Sequence, residues 1–129
     1  MRIAVALALL LLSLSVRSAS LIAEVESDLY QRLPVPARWI PSDHAAVINS
    51  AREYPRAPLR SIEIADFVRV YGVPTYLASP RSNKGYSFLV YEMADGYRLL
   101  VHITGVENSM FLAAQLYRRD GKPEGPLLK

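Results

Sequence analysis

The stretch from Tyr86 to Thr104 constrains this chain more than any other. Two runs, Tyr86-Ser87-Phe88-Leu89-Val90-Tyr91-Glu92-Met93 and Tyr97-Arg98-Leu99-Leu100-Val101-His102-Ile103-Thr104, are rich in β-branched and aromatic residues. Ala94-Asp95-Gly96 lies between them. Asp-Gly suits a two-residue turn of the type that closes tight hairpins, so the pair predicts antiparallel strands with Glu92 opposite Leu99, Val90 opposite Val101 and Phe88 opposite Ile103. On that register one face carries Phe88, Val90, Leu99, Val101 and Ile103, a clean core. The other carries Ser87, Leu89, Tyr91, Met93, Arg98, Leu100, His102 and Thr104. Met110 to Tyr117 reads as a third strand, with Met110, Leu112, Ala114 and Leu116 on the core side. A further strand around Thr75 to Ala78 brings the expected sheet to three or four strands. Ser79 to Gly85 reads as a polar loop, and the tail after Lys122, with two prolines, as irregular.

Upstream the apolar spacing changes to that of helices. Leu21, Val25, Leu29 and Leu33 recur every fourth residue and predict a short amphipathic helix, stopped by Pro34. Pro34 to Pro41 reads as an extended connector pinned by Trp39 and Ile40. Ser42 or Asp43 caps a second predicted helix running to about Tyr54. A third begins at Ser61, with Ile64, Ala65, Phe67, Val68 and Tyr71 on one stripe. Gly72 and Pro74 end it. Helices first and an antiparallel meander afterwards predict an α+β domain, N-terminal helices packed on one face of a small sheet.

Arg2 followed by the uncharged run Ile3–Leu14 and the small polar residues Ser15 to Ser20 has the order of a secretory signal peptide, with cleavage expected after Ser18 or Ser20. A spanning anchor needs about 20 apolar residues, and Ser13, Ser15 and Arg17 interrupt the run too early. The expected organisation is a signal peptide over 1–20, one domain over 21–122 and a tail over 123–129. Without Arg2 and Arg17, the 15 Lys and Arg of the chain fall to 13 against 12 Asp and Glu, a net charge of +1. Net charge therefore gives no support for nucleic-acid binding. Arg52, Arg56 and Arg60 form one loose basic cluster, and Arg118, Arg119 and Lys122 another. Both are interleaved with acids and read as solvated surface. The absence of cysteine excludes a thiol nucleophile, a thiolate zinc site, an iron–sulfur cluster and a lipid anchor on cysteine.

No motif for catalysis, metal or phosphate emerges. His44 and His102 are the only histidines. His44 adjoins Asp43, a neighbour that cannot converge with it on one ligand from a helix. His102 would need an acid and a serine from elsewhere for a relay, and Ser109 lacks the context of a nucleophile elbow. Glu92, Asp95, Glu107 and Asp120 fall at strand ends and turns, and no two of them pair. No cofactor is implied. The second sheet face, with Leu89, Tyr91, Met93, Leu100, Phe111 and Tyr117, is too apolar to stand in water. Either the N-terminal helices cover it or a partner does. Tyr91, Arg98, His102 and Tyr117 are the candidate binding residues.

The run Phe67 through Val70-Tyr71-Gly72-Val73-Pro74, the tyrosine-rich strands after it and the closing Leu116-Tyr117-Arg118-Arg119-Asp120-Gly121-Lys122 resemble small bacterial envelope domains of the SmpA/OmlA-like or β-lactamase-inhibitor-like type, over Ser61 to Lys122. The chain departs from them in lacking a lipid-acceptor cysteine and in its extra N-terminal part. The resemblance implies a non-enzymatic binding or scaffolding module with a protein partner in the cell envelope. The alternatives are a small hydrolase or ligand carrier using His102, and a homodimer paired through its sheet edges.

Overall fold

The computed structural model describes residues 20–40, 42–43, 46–54, 63–82, 86–105 and 110–128. The expected signal segment up to Ala19, together with His44, Arg56, Arg60, Ser61, Glu107 and Ser109, lies outside them. Six strands make one antiparallel sheet in sequence order: β1 (Tyr30–Leu33), β2 (Tyr76–Pro80), β3 (Tyr86–Glu92), β4 (Arg98–Thr104), β5 (Phe111–Tyr117) and β6 (Pro123–Leu128). A five-residue helix α1 (Leu21–Val25) precedes β1, and helix α2 (Ile64–Tyr71) lies between β1 and β2.

This corrects the expected α+β class. The fold is mainly β, with one substantial helix that is not N-terminal and a sheet of six strands instead of three or four. The four-residue spacing from Leu21 to Leu33 is helical only over its first turn. Ser27 ends α1 by donating its hydroxyl to the Glu24 carbonyl while accepting from the Leu29 amide, and side chains of this kind compete with helical hydrogen bonds. Tyr30 to Leu33 then pairs with β2, Tyr30 opposite Pro80 and Leu33 opposite Leu77. The ladder outweighs local helix propensity, a weak prior under tertiary contact, and Leu29 is left 69 % exposed.

The second expected helix is also absent across its described residues. The segment 46–50 is irregular and only Ala51–Glu53 makes a 3₁₀ turn. Its backbone groups bond to other elements instead: Ile48 N–H to the Tyr71 carbonyl, Ala94 N–H to the Asn49 carbonyl, and Ala51 N–H to Asp95 Oδ2. At the other end of the chain, residues expected to be irregular form β6, pairing Leu116 with Glu124 and Tyr117 with Pro123.

Helix α2 begins at Ile64, later than the expected start at Ser61, because Glu63 is extended and bridged to Met110. Its body forms as expected because Ile64, Phe67 and Val68 recur on one stripe, and all three are buried. Gly72 ends it at φ +107°, where a side chain would be strained, and a Cβ there would stand 2.2 Å from the Ala46 carbonyl oxygen.

The β3–β4 hairpin differs from expectation by one residue. Gly96 N–H bonds to the Met93 carbonyl and Met93 N–H to the Tyr97 carbonyl, so the loop is three residues, Ala94-Asp95-Gly96, with Gly96 at φ +83°. Such loops place a left-handed residue at their third position. The register becomes Glu92 opposite Arg98, Val90 opposite Leu100 and Phe88 opposite His102. One slip moves every side chain of a strand to the other face, so the faces sort differently. Leu89, Tyr91, Met93, Leu99, Val101 and Ile103 share the main core with Trp39, Ile48, Phe67 and Val68. Phe88, Val90 and Leu100 join Ile22, Val25, Tyr76, Ala78 and Tyr117 in a second core under α1. Because both faces are covered, both are apolar, and hydrophobic pattern alone does not set the register.

Strand β5 carries an irregularity of the same kind. Ala113 faces His102 and Phe111 faces Ile103, leaving Leu112 as the extra residue. This bulge puts Phe111 in the main core with Ala114 and Leu116. Met110 and Leu112, expected inside, are 56 % and 36 % exposed.

Candidate functional site

The second face of the sheet is the one toward α1. Of the apolar and aromatic residues expected there only Leu100 and Tyr117 belong to it, while Leu89, Tyr91, Met93 and Phe111 lie in the main core. This face is built of cross-strand rows. Nearest the hairpin, Glu92, Arg98 and Tyr117 lie side by side, followed by Tyr76, Val90, Leu100 and Gln115. Next come Ala78, Phe88, His102 and Ala113. The last row holds Tyr86 opposite Thr104. Met110 is tied to that row, since its carbonyl accepts from the Thr104 amide and its amide donates to Thr104 Oγ1.

Helix α1 covers only part of this face, because Ser27 stops it after five residues. Ile22 and Val25 pack into the cluster with Val90, Leu100 and Tyr117, and an ion pair between Glu26 and Arg98 fastens its C-terminal end. Beyond the helix the face opens. Tyr86 is 54 % and Met110 56 % exposed, while His102 and Thr104 are half-buried. His102 sits at the boundary in a run of rings. It stacks on Phe88 with centroids 4.6 Å apart at 14°, and meets Tyr86 edge-on at 5.2 Å. Tyr30 extends the run, edge-on to Phe88 at 5.8 Å.

Arg98, His102 and Tyr117 therefore share one face, and Tyr91 lies on the other. Tyr91 is 2 % exposed in the main core, and its hydroxyl donates to the Gly72 carbonyl oxygen. Burial pushes its pKa up. Tyr117 is buried beneath α1, and desolvation raises its pKa against a partly offsetting bond from the Leu21 amide. Arg98 is engaged by Glu26. His102 alone of the four borders the open end. Burial lowers its pKa, and Glu24 acts in the opposite sense. Its ring contacts are aromatic, and among the described residues no serine or acid is hydrogen-bonded to it. The imidazole between Phe88 and Tyr86 is placed for ring contact and stacking.

Sequence reasoning did not single out Glu24, Asp28, Leu29, Tyr86 or Met110. A groove of about 360 Å³ lies beside Tyr86, lined by Glu24, Asp28, Leu29 and Tyr30 on one side and by Pro80 and Arg81 on the other. The expected continuous helix puts Glu24 and Asp28 side by side but turns Leu29 and Tyr30 in other directions. The turn at Ser27 and the pairing of β1 with β2 bring them to Tyr86.

Elsewhere Arg118 and Arg119 have local partners. Arg118 Nε lies 3.4 Å from Glu124 and 3.7 Å from Asp120, beyond hydrogen-bond geometry but within ion-pair range. Arg119 donates to the Asp95 carbonyl. Among the described residues no three His, Asp or Glu side chains are grouped to hold a metal ion, and no helix is long and apolar enough to cross a membrane. Comparisons of the chain with protein-family models, with curated proteins and with solved structures each return no match.

Proposed function

We propose that this chain is an exported, non-enzymatic binding module that docks a protein partner of the cell envelope on the open end of its second sheet face. The carrying observation is the row of Tyr86, Thr104 and Met110, whose two end residues stand more than half exposed while Phe88, Val90 and Leu100 of the same face are buried. Large apolar side chains grouped on a surface are a feature of interaction sites, and aromatic residues and methionine are enriched at interface centres. The aromatic surroundings of His102 favour this reading over a hydrolase. The sheet edges are poor templates for a dimer: β1 has four residues, and β6 carries Pro123, Gly125 and Pro126, features that blunt edges.

A photo-crosslinking residue at position 86 or 110 tests the reading in cells of the native host, with position 70 on the exposed side of α2 as control. The expected result is one protein adduct shared by positions 86 and 110 and absent at 70. The same adducts at all three positions, or none, would remove the reading. Export itself is tested by the N-terminus of the chain recovered outside the cytoplasm. Ala19 or Leu21 is expected there, and an intact Met1 would rule out cleavage.

A further inference from the structure

We infer that the groove beside Tyr86 receives a basic side chain, a lysine or arginine presented by the docked partner. The inference rests on the binding-face reading above, because Tyr86 belongs to both surfaces. The groove combines two features that suit an organic cation. Tyr30 and Tyr86 contribute aromatic rings, and Glu24 and Asp28 contribute exposed carboxylates. The Tyr30 hydroxyl donates to Glu24 Oε1 at 3.2 Å, which holds that carboxylate beside the ring. A cation over an aromatic face gains attraction from the ring quadrupole, and a nearby carboxylate adds to it. Arg81 also lines the groove, so among the described lining residues two carboxylates stand against one guanidinium. An anionic ligand would meet net negative charge. The apolar wall from Leu29 and Pro80 suits the aliphatic stem of a long basic side chain.

The same sheet face already holds a guanidinium in this way. Arg32 lies over the Tyr76 ring at 4.2 Å from its centroid, with Glu92 3.9 Å away. Ring and carboxylate there engage a cation of the chain itself. Beside Tyr86 the corresponding groups face an open groove.

The test is a two-dimensional NMR titration of the purified chain with N-acetyl-arginine amide, with N-acetyl-citrulline amide as the neutral control of the same shape. Saturable shifts at Tyr30, Tyr86 and Glu24 are expected with the arginine probe, weakened by high salt, and absent with citrulline. Replacing Glu24→Gln and Asp28→Asn together should weaken the probe about tenfold or more. Equal shifts from both probes, no saturable shift, or unchanged affinity in the double variant would overturn the inference. If the double variant lost the dispersed spectrum of a folded chain, Tyr86→Leu at an exposed position would decide. Unchanged affinity there would count against the site. Crosslinking at position 110 separates the two readings: adducts that persist without arginine binding leave the docking face standing and remove only the cation site.

Discussion

The hydroxyl of Tyr91 on β3 donates to the carbonyl oxygen of Gly72 at 2.6 Å, joining the middle of the sheet to the end of α2. Sheet and helix meet there because Gly72 closes the helix at positive φ, turning its carbonyl toward the core. Tyr91→Phe keeps the ring and its edge contact with Phe67 but leaves the Gly72 carbonyl without this donor. The expected loss is about 1–2 kcal/mol in urea unfolding. Tyr91→Ser also empties the ring's volume and should cost about 3–5 kcal/mol. Equal stability of wild type and Tyr91→Phe would show that the bond contributes nothing net.

Gly72 and Gly125 both have positive φ, at 107° and 73°. Their surroundings differ. A Cβ on Gly72 would collide with backbone, the Ala46 oxygen at 2.2 Å and Val47 Cα at 2.5 Å, whereas a Cβ on Gly125 meets nothing within 4 Å. Gly125→Ala should cost about 1 kcal/mol from backbone strain alone. Gly72→Ala should cost roughly 2–4 kcal/mol, since strain and overpacking add. Thermal unfolding of the two variants checks the order.

Asp95 accepts from the Ala51 amide at 2.9 Å and from the Tyr97 amide at 3.3 Å. The bond from Ala51 is the main reason its carboxyl titrates below the usual range, against a smaller opposing effect of burial. A carboxyl with a depressed folded pKa stabilises the fold above its unfolded value, about 3.9. That stability is lost as the pH falls through the folded value. The urea midpoint should therefore decline on acidification below about pH 4, and Asp95→Ala should both lower the midpoint at neutral pH and flatten this decline. An unchanged acid limb would remove the assignment.

His102 shifts in the other pH range. Burial against Phe88 lowers its pKa, so the unfolded chain takes up the proton first as the pH falls. The fold keeps its full stability above the unfolded value, about 6.5, and loses some of it as the pH drops toward the folded value. Between about pH 7 and 5 the wild type should weaken more than His102→Gln, measured by urea midpoints at each pH. An NMR titration of the ring should give a midpoint below that of a free imidazole. A midpoint at or above it would contradict the stacking environment.

Sequence alone determined those elements whose signals are local. Helix α2 was legible in the stripe Ile64, Phe67, Val68, and its end in Gly72 and Pro74. The strands from Tyr86 to Tyr117 were legible in their β-branched and aromatic runs and in the Asp95-Gly96 turn between the first two. Three features depended on partners distant in sequence. The ladder with β2 made Tyr30 to Leu33 a strand although Leu21, Val25, Leu29 and Leu33 have helical spacing. The three-residue loop at Gly96 and the bulge at Leu112 set which side chains share a face, and a sheet apolar on both sides carries no pattern that would reveal either. The open end of the second face follows from the length of α1, which the hydroxyl of Ser27 limits to five residues. Apolar spacing reports that a stretch has side chains to bury, not which of them are buried, as the exposed Leu29 and Leu112 show. Only the tertiary pairing decides which element buries each one, and at Tyr86 and Met110 it leaves the covering incomplete.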